Sequence, residues 1–133
     1  MLQGTVATVC SVEIIPNGAN LTLPIKDGGQ VNVGNIIENC NHAGGYTINA
    51  SSATGSKLVN ALNPNLMTGY RVSVEDGFND VTLGFTPTPV RAVGALSAPS
   101  VNVSKGVLVT TIGNPNALAG DYQDTVTMTI ATP

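Results

Sequence analysis

Along this chain apolar and polar residues alternate singly or gather in short apolar runs. Nowhere do apolar residues recur three and four apart for more than a turn or two. A period of two predicts strands, not helices. Val, Ile, Thr and Tyr dominate nine such runs: Thr5 to Ile15, Asn20 to Ile25, Gln30 to Asn39, Tyr46 to Ser51, Lys57 to Ala61, Tyr70 to Glu75, Val81 to Phe85, Val101 to Ile112 and Thr125 to Ile130. Turn signals separate them, among them "PNG" at Pro16 to Gly18, "KDGG" at Lys26 to Gly29, "HAGG" at His42 to Gly45 and "GNPN" at Gly113 to Asn116. Their glycines, asparagines and prolines supply a positive or a fixed φ where the chain reverses.

Short, evenly spaced strands predict an all-β fold, an immunoglobulin-like β-sandwich forming a single domain over residues 1–133. The stretch Thr86 to Pro99 carries Pro87, Pro89 and Pro99 and is unfit for a central strand, because proline donates no ladder hydrogen bond. It is expected at an edge or as a crossover between sheets. The final run is the most regular. In "AGDYQDTVTMTI", Val126, Met128 and Ile130 share one face while Thr125, Thr127 and Thr129 share the other. A last core strand has this pattern, and so does the border of an unfinished sheet that a second chain can fill; the alternation fits both.

Composition narrows the partners. Charged residues make up 10% of the chain and the formal net charge is −3, so the surface is built largely from Thr, Ser, Asn and Gly. The five basic residues, Lys26, Lys57, Arg71, Arg91 and Lys105, stand singly and form no phosphate-binding stripe. Nucleic acid and anionic membrane are therefore not expected as partners. No apolar run has the length of a bilayer span, and "MLQGTVATVC" has neither the basic start nor the apolar core of a signal peptide. Met1 is expected to be a start residue placed on a mature chain from which an export signal has been removed.

Candidate chemistry is sparse. Cys10 and Cys40 form no CxxC motif, and with one histidine they cannot complete a two-Cys, two-His zinc site. A disulfide in an oxidising compartment is expected, worth about 3.7 kcal/mol by loop closure; two buried reduced thiols are the alternative. His42, in "NCNHAGG", has no nucleophile motif beside it and reads as a solvated turn residue. Glu75 to Asp80, "EDGFND", lacks the ligand spacing of a calcium loop and reads as a turn on Asp76-Gly77. The acceptor triplets at Asn20, Asn49 and Asn102 arise readily by chance in so Asn- and Thr-rich a chain. No catalytic residues, no metal site and no cofactor are expected, and the chain is not expected to be an enzyme.

Several stretches together resemble one family. They are the closing strand "AGDYQDTVTMTI", Cys10 early in the first strand, Cys40 at the end of "VNVGNIIENC" followed by "GGYTINA", and "GYRVSVEDG" at Gly69 to Gly77. In order and spacing over most of the chain these resemble the subunits of bacterial chaperone-usher pili, in particular the archaic branch related to spore coat protein U. The resemblance implies an incomplete sandwich that lacks one strand and is completed by a donor strand. In such subunits a periplasmic chaperone would fill the gap first, and the N-terminal extension of a neighbouring pilus subunit would fill it in the fibre, after delivery by an outer-membrane usher. By position, Cys10 and Cys40 would link the first two core strands, and Val126, Met128 and Ile130 would line or flank the acceptor groove. Residues 1–9 would be the donor extension, with Leu2, Gly4 and Val6 alternating with Gln3 and Thr5. Nine residues before Cys10 is short for that task. Export through the periplasm to the cell surface, and a role in adhesion or biofilm formation with a host-surface receptor as a further partner, would follow. The alternative function is a complete β-sandwich adhesin or carbohydrate-binding module. The absence of Trp and the small number of Tyr and Phe weigh against sugar stacking.

Overall fold

The computed structural model describes residues 1–17 and 23–133. Among the described residues nine strands form in chain order: β1 (Cys10–Pro16), β2 (Gly29–Cys40), β3 (Tyr46–Ser52), β4 (Lys57–Asn60), β5 (Met67–Val74), β6 (Thr88–Val93), β7 (Ser100–Thr111), β8 (Tyr122–Gln123) and β9 (Val126–Ala131). They pair antiparallel into two sheets. One has six strands in the order β1-β2-β7-β5-β4-β8, and the other has three in the order β6-β3-β9. The molecule is an all-β, immunoglobulin-like sandwich.

Alternation sets the faces. Along β3, Tyr46, Ile48, Ala50 and Ser52 are buried while the residues between them are half-buried. Across the interior, Ile36 and Cys40 of β2, Tyr70, Val72 and Val74 of β5, and Val107 and Val109 of β7 complete the core with Leu58, Leu83 and Val90. Two polar clusters tie the sheets together inside this core. Arg91 Nε on β6 donates to both carboxylate oxygens of Glu38 on β2, at 3.1 and 2.9 Å, and the Tyr46 hydroxyl on β3 donates to Glu38 Oε1 at 2.7 Å. Glu38 is 0% exposed, so the ion pair and the phenol satisfy a carboxylate that has no water. Burial pushes the Tyr46 phenol above the ordinary tyrosine range. The second cluster lies at the β8–β9 crossover. There the hydroxyls of Tyr70 and Ser52 both donate to Asp124 Oδ2, and the Ser56 main-chain N–H donates to Ser52 Oγ at 2.9 Å.

Cys10 and Cys40 are disulfide-bonded at directly opposed positions of β1 and β2. Two glycines shape the neighbouring backbone. Gly45 has φ +87, and a Cβ there would lie 2.1 Å from the Val93 carbonyl oxygen, so only glycine lets the chain enter β3 so close to β6. Gly34 has φ +150 at a register shift in β2, and its Cβ would meet the Ile15 carbonyl oxygen at 2.3 Å.

Several predicted runs differ from the strands observed. Thr5 to Val9 lie outside the ladder: the strand starts at Cys10, opposite Cys40, where β2 ends. Of Asn20 to Ile25, residues 20–22 lie outside the described residues, as does the Asn20 triplet; Leu23 and Ile25 pack against the core without joining a strand. Val81 to Phe85 makes a single bridge, Val72 to Val81, and no strand. Its next polar groups are used elsewhere, the Leu83 N–H donating to Ser56 Oγ at 2.6 Å and the Gly84 carbonyl accepting from Ser52 at 2.9 Å. The proline-rich stretch holds β6, an edge strand. Pro89 sits at a register shift opposite Asn49, where its missing donor breaks no regular pair. The two-residue β8 was not predicted. In "EDGFND" the expected turn forms, and Glu75 and Asp76 have separate partners. Asp76 adopts φ 56 and pairs with Lys105 Nζ at 2.6 Å, and Glu75 Oε2 accepts from the Gly106 N–H at 3.0 Å.

Candidate functional site: an apolar groove between two free strand edges

β1 is the outermost strand of one sheet and β9 the outermost strand of the other. Their unpaired edges lie on the same side of the sandwich and come within 8 Å of each other, Cα to Cα, with no ladder between them among the described residues. Between these edges opens a groove with a cavity of about 130 Å³, lined by Ile14, Val33, Gly34, Asn35, Val72, Val107, Val109, Val126 and Met128. A cavity near that size accepts a benzene-sized apolar group.

The register explains why the lining is apolar. Ile14 pairs with Ile36, and in β9 Val126, Met128 and Ile130 pair with Ser52, Ala50 and Ile48 of β3, so all four point to the interior. Their partners in β2 and β3 are buried, yet Ile14 remains 46% exposed and Val126, Met128 and Ile130 stay half-buried. An inward-facing residue that keeps contact with water lacks a neighbour on one side. Thr127 and Thr129 face solvent, as their alternation requires.

The structure brings Val126 and Met128 into the groove together; Ile130 lies further along the same face and packs against the core without lining the cavity. Leu2, Gly4 and Val6 are elsewhere. Residues 1–9 form an exposed arm outside both sheets, with Leu2 and Val6 102% and 87% exposed. Ile14, Gly34 and the valines of β5 and β7 were not anticipated as lining residues. A glycine inside the strand pattern "VNVGNIIENC" is the one readable signal among them, because such a glycine marks a bulge or a close backbone approach.

The arrangement offers recognition chemistry. An extended segment laid along β9 would receive main-chain hydrogen bonds from its free edge and place alternate side chains against Val126, Met128 and Ile14. A strand flanked on both sides needs about 9.6 Å between its neighbours. Where β1 and β9 approach within 8 Å, full insertion therefore requires them to part. Gly34, itself in the lining, permits the close approach of Ile15 and Pro16 at the end of β1.

No protein-family model matches the chain, and no curated protein matches it. Among solved structures, the chain is similar to the CooA pilin subunit from enterotoxigenic Escherichia coli, with a TM-score of 0.47 and 16% identity over 91% of this chain and 88% of that one. It is also similar to part of a family 123 glycoside hydrolase from Clostridium perfringens, with a TM-score of 0.41 and 14% identity, covering 95% of this chain and 25% of that one. At such scores and identities neither likeness carries a functional assignment.

Proposed function

We propose that this chain is a structural subunit of a surface fibre, a pilus or fimbria of the archaic chaperone-usher type, assembled by donor-strand complementation. The observation that carries this reading is the pairing, in one chain, of an open apolar groove between β1 and β9 with a protruding arm of matching alternation. The arm of one copy lies along β9 of the next, with Leu2 and Val6 as apolar anchors. Two such side chains contribute about 3 to 6 kcal/mol before ordering costs, and backbone bonds to the free edge add to this. A head-to-tail contact of this kind does not close on itself, so it extends into a fibre.

The same groove accounts for the other partners. Until a neighbour arrives, exposed core side chains need cover, which is the part of a periplasmic chaperone, and an outer-membrane usher then passes the subunit to the surface. The Cys10–Cys40 bond suits that oxidising route. A fibre so built would support adhesion or biofilm formation. A complete carbohydrate-binding sandwich is the second reading, favoured by the exposed rings of Phe78 and Phe85; specific binding on a glycan array, with no response to donor peptide, would establish it instead.

The test uses a labelled peptide of residues 1–9 titrated into the full chain. Binding is expected, with the melting temperature rising about 5 to 10 °C at a hundredfold excess over Kd. A peptide carrying Leu2→Asp and Val6→Asp should do neither. If the unmodified peptide leaves the melting temperature unchanged, strand donation is not the function of this groove.

A further inference from the structure

After Cys40 the chain turns away through Asn41 to Gly45, and the ladder between β1 and β2 has no further strand to use. The side chain of Asn41 takes its place. The Val9 N–H donates to Asn41 Oδ1 at 2.7 Å, Asn41 Nδ2 donates to the Ala7 carbonyl at 2.9 Å, and the Asn41 main-chain N–H donates to the Val9 carbonyl at 3.3 Å. A carboxamide offers an acceptor and donors much as a peptide group does. Here it substitutes for the next peptide of β2, holding residues 7–9 in line with β1. Those residues are exposed, so these polar bonds and not burial fix the root of the arm.

Direction follows from this. β1 runs along the groove from Cys10 towards Pro16, and the arm leaves the opposite way, past the disulfide. To enter its own groove, the arm would have to reverse within Ala7 to Val9 and run back beside β9, which breaks the bonds to Asn41. We infer that Asn41 is a positioning residue: its side-chain amide points Leu2, Gly4 and Val6 away from their own groove, so that they dock in the groove of a second copy of this chain. The inference rests on the strand-donation reading above and adds the residue that makes donation run between chains. Lengths agree, since Met1 to Val6 spans about 20 Å when extended and the six residues of β9 span about the same.

The test compares the full-length chain with Asn41→Ala and Asn41→Asp, the latter keeping the acceptor for Val9 and losing the donor to Ala7. In Asn41→Ala, exchange of the Val9 amide should quicken about tenfold, while the melting temperature of the sandwich stays within a degree or two. At equal concentration the population should shift from oligomers to monomers, with Asn41→Asp between the two. A nitroxide at Gln3→Cys, diluted into unlabelled protein, should broaden the Met128 methyl signal of its own chain in the Asn41→Ala background and not with Asn41 present. Unchanged Val9 exchange, or an Asn41→Ala chain that assembles as the parent does, overturns the inference. So does a parent chain that binds the 1–9 peptide yet stays monomeric with its arm in its own groove. If the peptide fails to bind, strand donation itself is wrong and the inference falls with it. If the peptide binds and the variants assemble normally, the role of Asn41 alone is refuted.

Discussion

β3 and β9 lie side by side in the three-stranded sheet and carry the same alternation, yet they meet different surroundings. β3 is flanked by β6 on one side and β9 on the other, and its inward residues Tyr46, Ile48, Ala50 and Ser52 are all buried. Among the described residues β9 pairs with β3 on one side and with no strand on the other, and its inward residues Val126, Met128 and Ile130 are only half-buried. The opposed pairs Ile48–Ile130 and Ala50–Met128 thus place a closed and an open environment about one strand spacing apart. Alternation reports which way a side chain points. Whether that side is full depends on a neighbour, and among the described residues β9 has a paired neighbour on one side alone.

The most forceful way to break the comparison is to damage the closed side at its buried ion pair. Arg91→Ala leaves the Glu38 carboxylate fully buried with only the Tyr46 hydroxyl for company. Removing one partner of such a pair costs about 3 to 5 kcal/mol. The urea midpoint should fall accordingly, and a midpoint within error of the parent would show that water reaches Glu38 without the guanidinium.

A paired truncation sharpens it further. Ile48→Ala, in the closed environment, should lose about 2 to 5 kcal/mol of unfolding free energy. Met128→Ala, one strand over, should lose only about 1 kcal/mol because its side chain is already half in water. Saturating 1–9 peptide should then raise the cost of Met128→Ala and leave that of Ile48→Ala unchanged, since a docked strand closes over β9 and not over β3. Equal costs with and without peptide would mean that nothing docks beside Met128.

Much of this contrast was legible in the residues, and the rest has identifiable causes. The period of two along "TVTMTI" identifies the inward face of β9, and of the two readings open for Cys10 and Cys40, a disulfide or two reduced thiols, the structure has the disulfide. The prolines of Thr86 to Pro99 mark an edge, which β6 is. Val81 to Phe85 has strand composition, but its polar groups bond to the Ser56 side chain and to the Ser52 main chain at the end of β3, partners that no local pattern encodes. β8 is two residues long, below any periodic signal. Glu38 alternates with Ile36 and Cys40, so an acid on a core face was readable; its partner, Arg91, lies 53 residues away and left no trace. Asn41 reads as one more polar turn residue, because its two side-chain bonds reach back 32 and 34 residues, beyond any local pattern.

The smallest expected effect concerns how β9 is fastened where it begins. Asp124, two residues before the strand, accepts hydrogen bonds from the buried hydroxyl of Tyr70 on β5 and from Ser52 at the end of β3, so one carboxylate joins both sheets at the entrance to the open strand. Burial first, and then the hydrogen bond to Asp124, pushes the Tyr70 phenol well above the ordinary tyrosine range. A group whose folded-state pKa is raised holds its proton more tightly in the folded chain. Its contribution is therefore complete below the unfolded tyrosine value and declines as the pH rises past about 10. Ionisation there would set a phenolate against a carboxylate and free the start of β9, while the centre of β3 stays packed. Amide exchange at Val126 should accordingly quicken above about pH 10 before exchange at Ile48 does. Tyr70→Phe should cost about 1 kcal/mol at neutral pH and flatten part of the alkaline slope, leaving the share that belongs to Tyr46, whose phenol is raised in the same direction. An alkaline unfolding profile identical in the parent and in Tyr70→Phe would mean that the Asp124 cluster does not anchor β9, and the looseness of that strand would then rest on its missing neighbour alone.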